Sequence, residues 1–168
     1  MKRFVLIFLA VLSSFIGGCT GYPRLLNFPL DGGGRSLNSR ASELTPQVSS
    51  LYIVFVSDRN GSQDVYLFDA QKRVLIDLPG LNSLDEVASH PSISEDGRYI
   101  VFASSRQGRS NIYLYDRQTQ QKRNLTENLA AEVRNPTINA QGTQIAFEVA
   151  KNGQWDILLY DLSGNAIP

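Results

Sequence analysis

The chain has 168 residues, 42% of them hydrophobic and 19% charged, and its 16 Lys and Arg balance 16 Asp and Glu. That is enough apolar material for one domain with a real core, and it excludes a disordered polyelectrolyte or a collagen-like repeat. The neutral balance leaves no basic surplus for a phosphate backbone, and one Cys with one His rules out a disulfide framework or a Cys/His zinc site within one chain.

The first element is an export signal. Lys2 and Arg3 precede an uncharged apolar run over residues 4–16, followed by Gly17, Gly18 and Cys19. A membrane span needs about 20 apolar residues, so this run is short for a permanent helix and long enough for a signal peptide. Ile16-Gly17-Gly18-Cys19 resembles the bacterial lipoprotein lipobox, with an aliphatic residue and two small residues ahead of a Cys. The resemblance implies cleavage after residue 18, lipid on the Cys19 sulfur, and a membrane anchor, since two or three acyl chains hold firmly where one does not. Thr20 follows, not Asp, which by the same resemblance implies the outer membrane in a Gram-negative cell.

Residues 19–45 read as a flexible tether, with Gly32-Gly33-Gly34 and scattered Ser and Asn. Within it, Arg24-Leu25-Leu26-Asn27-Phe28 is apolar enough to add a strand elsewhere.

From residue 46 the chain repeats itself. Pro91-Ser92-Ile93-Ser94-Glu95-Asp96-Gly97-Arg98-Tyr99-Ile100-Val101-Phe102 has a partner 45 residues later, beginning Pro136-Thr137-Ile138 and reaching Ile145-Ala146-Phe147. A third copy begins at Pro46-Gln47-Val48 and reaches Tyr52-Ile53-Val54-Phe55 after a turn two residues shorter. The units are 46–90, 91–135 and 136–168. β-branched and aromatic runs over 52–57, 99–104 and 144–149 predict one strand in each unit, and 65–68, 112–115 and 157–160 predict the next. Asn60-Gly61, Gln107-Gly108 and Asn152-Gly153 predict tight hairpins between them. Outer strands are expected at 73–77 and 122–126, and the third unit ends before its own is complete.

Four short antiparallel strands in 45 residues, copied in tandem, make the blade of a β-propeller. Near-continuous apolar runs such as Tyr99-Ile100-Val101-Phe102 suit strands covered on both faces by neighbouring blades. The pattern Pro91 to Ser104, then Asn111-Ile112-Tyr113-Leu114-Tyr115-Asp116, then Arg123-Asn124-Leu125-Thr126, resembles the TolB-like (WD-like) propeller repeat. The expected fold is all-β: about three four-stranded antiparallel blades of a TolB-like propeller, incomplete as one chain. The resemblance also implies macromolecular contact and an envelope location. Three blades cannot circle an axis, since rings hold about 4–8. Either two copies close head to tail into a six-bladed ring, or the arc caps itself with residues 24–28 or is covered by a different partner protein.

Candidate chemistry is sparse. His90, with Thr45 and Asn135 at the same place in the other copies, is expected to cap local backbone. Asp69, Asp116 and Asp161 recur in register and are expected to make Asx turns. Residues 58–64 lack the order of a calcium loop, and no nucleophile elbow or phosphate loop occurs, so no cofactor or metal is expected. Trp155 and the Tyr-rich strands are expected mainly in the core, with some aromatics facing solvent on an outer edge, where such rings anchor interfaces. The connections 78–90 and 127–135 differ between copies and are the expected contact loops. The sequence thus points to a non-enzymatic, membrane-anchored envelope lipoprotein that acts as a protein-interaction scaffold. The alternative is a carbohydrate-binding or hydrolytic module with its site on the propeller axis, which a deep central pocket lined by Asp or Glu would mark.

Overall fold

The computed structural model describes residues 33–167. The signal run, Cys19 and residues 24–28 lie outside the described residues. Each repeat folds as one antiparallel sheet whose strands neighbour each other in chain order. The first blade holds β1 (Glu43–Ser49), β2 (Tyr52–Ser57), β3 (Asp64–Asp69) and β4 (Val74–Ile76). The second holds β5 (Val87–Ile93), β6 (Tyr99–Arg106), β7 (Arg109–Asp116) and β8 (Gln121–Asn124), and the third β9 (Val133–Ile138), β10 (Gln144–Lys151) and β11 (Gln154–Asp161). Among the described residues there is no helix. The third blade only begins its outer strand: Ala166 bridges Tyr160, and Ile167 N donates to Leu159 O at 2.7 Å.

The apolar run of β6 is buried on both faces because the second blade is sandwiched between the other two. Ile100 and Phe102 point into the core shared with the first blade, whereas Val101 and Ala103 point into the core shared with the third. Alternation along β6 thus feeds two cores from one strand, which is why its sequence shows no polar face. Blades are also stitched through the backbone. Gln47 Oε1 accepts from Ile93 N at 2.9 Å, and Ser92 Oγ accepts from Ile138 N at 3.2 Å.

Two of the three expected hairpins are as tight as the sequence implies. Gln107-Gly108 and Asn152-Gly153 each carry two positive φ angles, as a two-residue turn matching strand twist requires. Asn60-Gly61 does not make such a turn. β2 ends at Ser57 and β3 begins at Asp64, so these residues sit in a longer loop closed by Gly61 N donating to Asp58 O.

The outer strands differ in how they finish the sheet. In the second blade Leu125 N donates to Ile112 O, and Thr126 Oγ1 accepts from Ile112 N. In the first blade a single side chain takes over both roles: the Asn82 amide accepts from Val65 N and donates to Val65 O, each at 2.9 Å.

The end of the tether is fastened to the first blade. Arg59, whose side chain is 5% exposed, donates to the carbonyls of Gly34, Ser36 and Leu37 and pairs with Glu43 at 2.8 Å. Its guanidinium lies over Phe55 and Tyr66. Arg106 and Lys151 occupy the matching place in the other repeats; Arg106 pairs with Asp85 at an exposed site, and Lys151 is exposed.

Candidate interaction surface

The strands β1, β5 and β9 touch from blade to blade and form the inner edge of the arc. Each is interrupted at the same place. Leu44 pairs with Val56 and Gln47 with Val54, so Thr45 and Pro46 together oppose Phe55. His90 and Pro91 oppose Phe102 in the same way, and Asn135 and Pro136 oppose Phe147. Two residues against one make a β-bulge, here of the kind whose first residue takes a left-handed backbone. Thr45, His90 and Asn135 have φ of 45°, 47° and 51°. The Pro behind each has no N–H to donate, so the break in the ladder costs it nothing.

This corrects the capping role expected for His90, Thr45 and Asn135. They lie inside strands, and what they share is a backbone bend that Asn tolerates best and Thr least. Thr45 Oγ1 is buried without a hydrogen-bond partner. Asn135 bonds a side chain instead of backbone, donating from Nδ2 to Glu148 Oε1 at 3.0 Å.

The three bulges converge on a cleft of about 320 Å³ lined by residues 45–47, 90–92 and 135–137. Its wall is three prolines flanked by hydroxyls, amides and one imidazole, with no Asp or Glu. Glu148 lies nearby, already engaged: the Asn135 amide, the Arg134 guanidinium at 2.6 Å and, more weakly, His90 hold its carboxyl below the usual range. A carboxylate held ionised by such partners is a poor proton donor near neutral pH.

The recurrent aspartates behave as expected. Asp69 Oδ1 accepts from the N–H groups of Gln71 and Lys72, Asp116 Oδ1 from Gln118 N, and Asp161 Oδ1 from Ser163 N and Asn165 N. Asp58 and Asp64 are tied to Ser42 N and the Ser62 hydroxyl, and burial raises the Asp64 carboxyl. Among the described residues no group of three or more His, Cys, Asp and Glu is placed to hold a metal ion.

The variable connections are shorter than the sequence suggests, because β5 begins at Val87 and β9 at Val133. Residues 78–86 are firmly based: Leu81 is fully buried, Tyr115 Oη donates to Pro79 O at 2.8 Å, and Glu86 pairs with Lys122 at 2.9 Å. From that base the loop presents Leu84, 98% exposed. Trp155 is not core. It is exposed on the far side of the third blade, with the Arg134 guanidinium 3.7 Å above its ring.

Sequence reasoning found the repeat but missed the bulge. The signal was present: a polar residue followed by Pro inside an otherwise strand-like run, three times at the same spacing.

No protein-family model matches the chain, and no curated protein does. Solved structures match its shape. TolB from Acinetobacter baumannii superposes with a TM-score of 0.60 and 24% identity over 77% of this chain and 32% of its own. The β-propeller domain of the Trilobed protease from Pyrococcus furiosus, described as having an open velcro topology, gives 0.57 and 19% over 76% and 41%. An oligogalacturonate lyase in complex with manganese gives 0.53 and 14% over 72% and 38%. The fold is that of the TolB-like β-propeller, and the chain spans about a third to two fifths of the length of these structures.

Proposed function

We propose that this protein is a membrane-anchored envelope lipoprotein whose propeller blades form a non-enzymatic scaffold for protein contacts. The observation that carries this reading is the shallow inner cleft, where Pro46, Pro91 and Pro136 of three successive blades line one mainly apolar surface. A rigid, largely apolar surface with a polar margin suits protein contact, whereas hydrolysis needs paired acid and base. The lipobox motif at Cys19 supplies the anchor, and the TolB resemblance supports an envelope location. The lyase and protease among the structural relatives favour the other reading, a carbohydrate-binding or hydrolytic module, and the lining of the cleft opposes it.

Two measurements test the proposal. Cells fed radiolabelled palmitate should label the protein and hold it in the membrane fraction, and Cys19→Ser should abolish both; a variant that stays membrane-bound refutes the anchor. A photo-crosslinker at position 84 or 90 should capture one discrete envelope protein. Turnover of a polysaccharide or peptide by the purified chain, lost on His90→Ala, would overturn the scaffold.

A further inference from the structure

Phe55 and Phe68 are each 1% exposed, yet they lie on the face of the first blade turned away from the second. Register fixes that face. Phe55 opposes Tyr66 and Phe68 opposes Ile53, while Val54, Val65 and Leu67 alternate with them and enter the core shared with the second blade. In the second blade the matching Phe102 and Tyr115 are covered by the first. Among the described residues no blade precedes the first. One end of its outer face is covered by Arg59, which lies over Phe55 and Tyr66 and donates to the carbonyls of Gly34, Ser36 and Leu37. The other end carries Phe68 between Ile53 and Leu75, two residues along β3 from Tyr66, or about 7 Å.

We infer that Arg24-Leu25-Leu26-Asn27-Phe28 lies on this far end and completes the cover over Phe68. The strap leads there. Its described part begins at Gly33, beside Arg59, and the five steps of chain from Phe28 to Gly33 reach about 17 Å when extended, ample for the distance to Phe68. Leu25, Leu26 and Phe28 bring the apolar surface that Ile53, Phe68 and Leu75 require. The competing occupant is another blade. Stacked sheets lie about 10 Å apart, and residues 34–37 already occupy that layer over one end of the face, so a second sheet cannot lie flat on it. A single extended segment in line with the strap can.

The course of this segment sets where the chain leaves the blade. Running back from Gly33 along β3, it brings Arg24 to the turn at residues 69–73, at the opposite edge from Arg59. Taken with the lipid anchor proposed above, on which this consequence rests, the five steps from Cys19 to Arg24 hold that edge within about 17 Å of the membrane surface.

In the unlipidated Cys19→Ser chain, amides of residues 24–28 should exchange at least about tenfold more slowly than those of residues 20–23. Leu25→Asp with Leu26→Asp should lower the melting temperature by about 4–8 °C, whereas Leu84→Asp, at an exposed site, should leave it unchanged. Exchange at 24–28 as fast as at 20–23, or an unchanged melting temperature in the double variant, would overturn the cap whatever Cys19 carries. For the lipidated protein on vesicles with acceptor-labelled headgroups, a donor dye at Gln71→Cys should transfer more energy than one at Asn60→Cys, both exposed and on opposite edges of the blade. Stronger transfer from residue 60 would overturn the course given to the segment. Protein that leaves the vesicles refutes the anchor alone, and the exchange measurement then decides the cap.

Discussion

The ring of Tyr52 fills the space in which Gly97 of the next blade would carry a side chain: a Cβ there would lie 2.6 Å from Tyr52 Cδ2 and 2.9 Å from Cζ. Gly97 also has φ of 72°, so the position excludes side chains twice over, by contact and by backbone conformation. The same pairing recurs more loosely at Gly142, whose Cβ would approach Tyr99 Cδ2 to 2.9 Å.

Gly97→Ala should therefore destabilise the fold by about 2–3 kcal/mol, from left-handed strain together with overpacking. Gly142→Ala should cost less, because its contact is looser. Urea unfolding of both checks the order, and pairing Gly97→Ala with Tyr52→Ala should recover the contact part of the loss but not the conformational part.

Arg59 gathers three carbonyls and Glu43 around a nearly buried guanidinium. Arg59→Ala should cost about 2–4 kcal/mol, since it leaves the Glu43 carboxylate with the Ser39 hydrogen bonds but no cation and removes a packed stem as well as a charge. Arg59→Lys should recover only part, because an ammonium cannot span the same fork of acceptors. Arg106→Ala, at the matching but exposed place, should change stability by less than about 1 kcal/mol. Thermal unfolding of the three variants separates these outcomes.

Ser92 Oγ is the acceptor for Ile138 N at the joint between the second and third blades, and Ser92 is buried. Ser92→Ala should cost about 1–3 kcal/mol, the penalty of a buried donor left unpaired. Ser92→Thr keeps the hydroxyl, as Thr137 does in the third repeat, and should cost less. Hydrogen exchange at the Ile138 amide should accelerate in the Ala variant alone.

Stability should fall at low pH. The Arg98 guanidinium, bonded to both carboxyl oxygens at 3.1 and 2.8 Å, holds Asp116 below its ordinary 3.8. The Ser94 hydroxyl and the Arg98 amide hold Asp96 below it too. Both carboxyls release their protons more readily folded than unfolded, so the stability they add is full above the ordinary value and is lost as pH falls through the depressed one. Denaturation midpoints should be insensitive to these groups above about pH 5 and decline below it. Asp116→Asn should flatten that decline; an unchanged slope would refute the role of the pair.

The sequence by itself carried the repeat, the strand content and the polar turns. Recurrence of Pro46, Pro91 and Pro136, of the paired apolar runs and of Asp69, Asp116 and Asp161 reflects local chemistry, in which alternation, turn glycines and Asx bonds act over a few residues. The same locality explains the misreadings. Asn60-Gly61 has the composition of a tight turn, yet the length of chain around it decides that a loop forms. Trp155 looks like core because burial depends on whether a neighbouring sheet arrives, which no property of its own strand encodes. Thr45, His90 and Asn135 looked like caps because the bulge is a matter of register with Phe55, Phe102 and Phe147 on another strand.

What the tertiary structure alone decided is where each repeat stops being equivalent to the others. Val65, Ile112 and Ile157 occupy one position in a repeating sequence, and nothing local distinguishes them. Packing does: the first two are covered by the blade that follows, whereas Ile157 stands 68% exposed. Periodic sequence fixes the shape of one unit, and burial of its faces depends on the count and placement of the others.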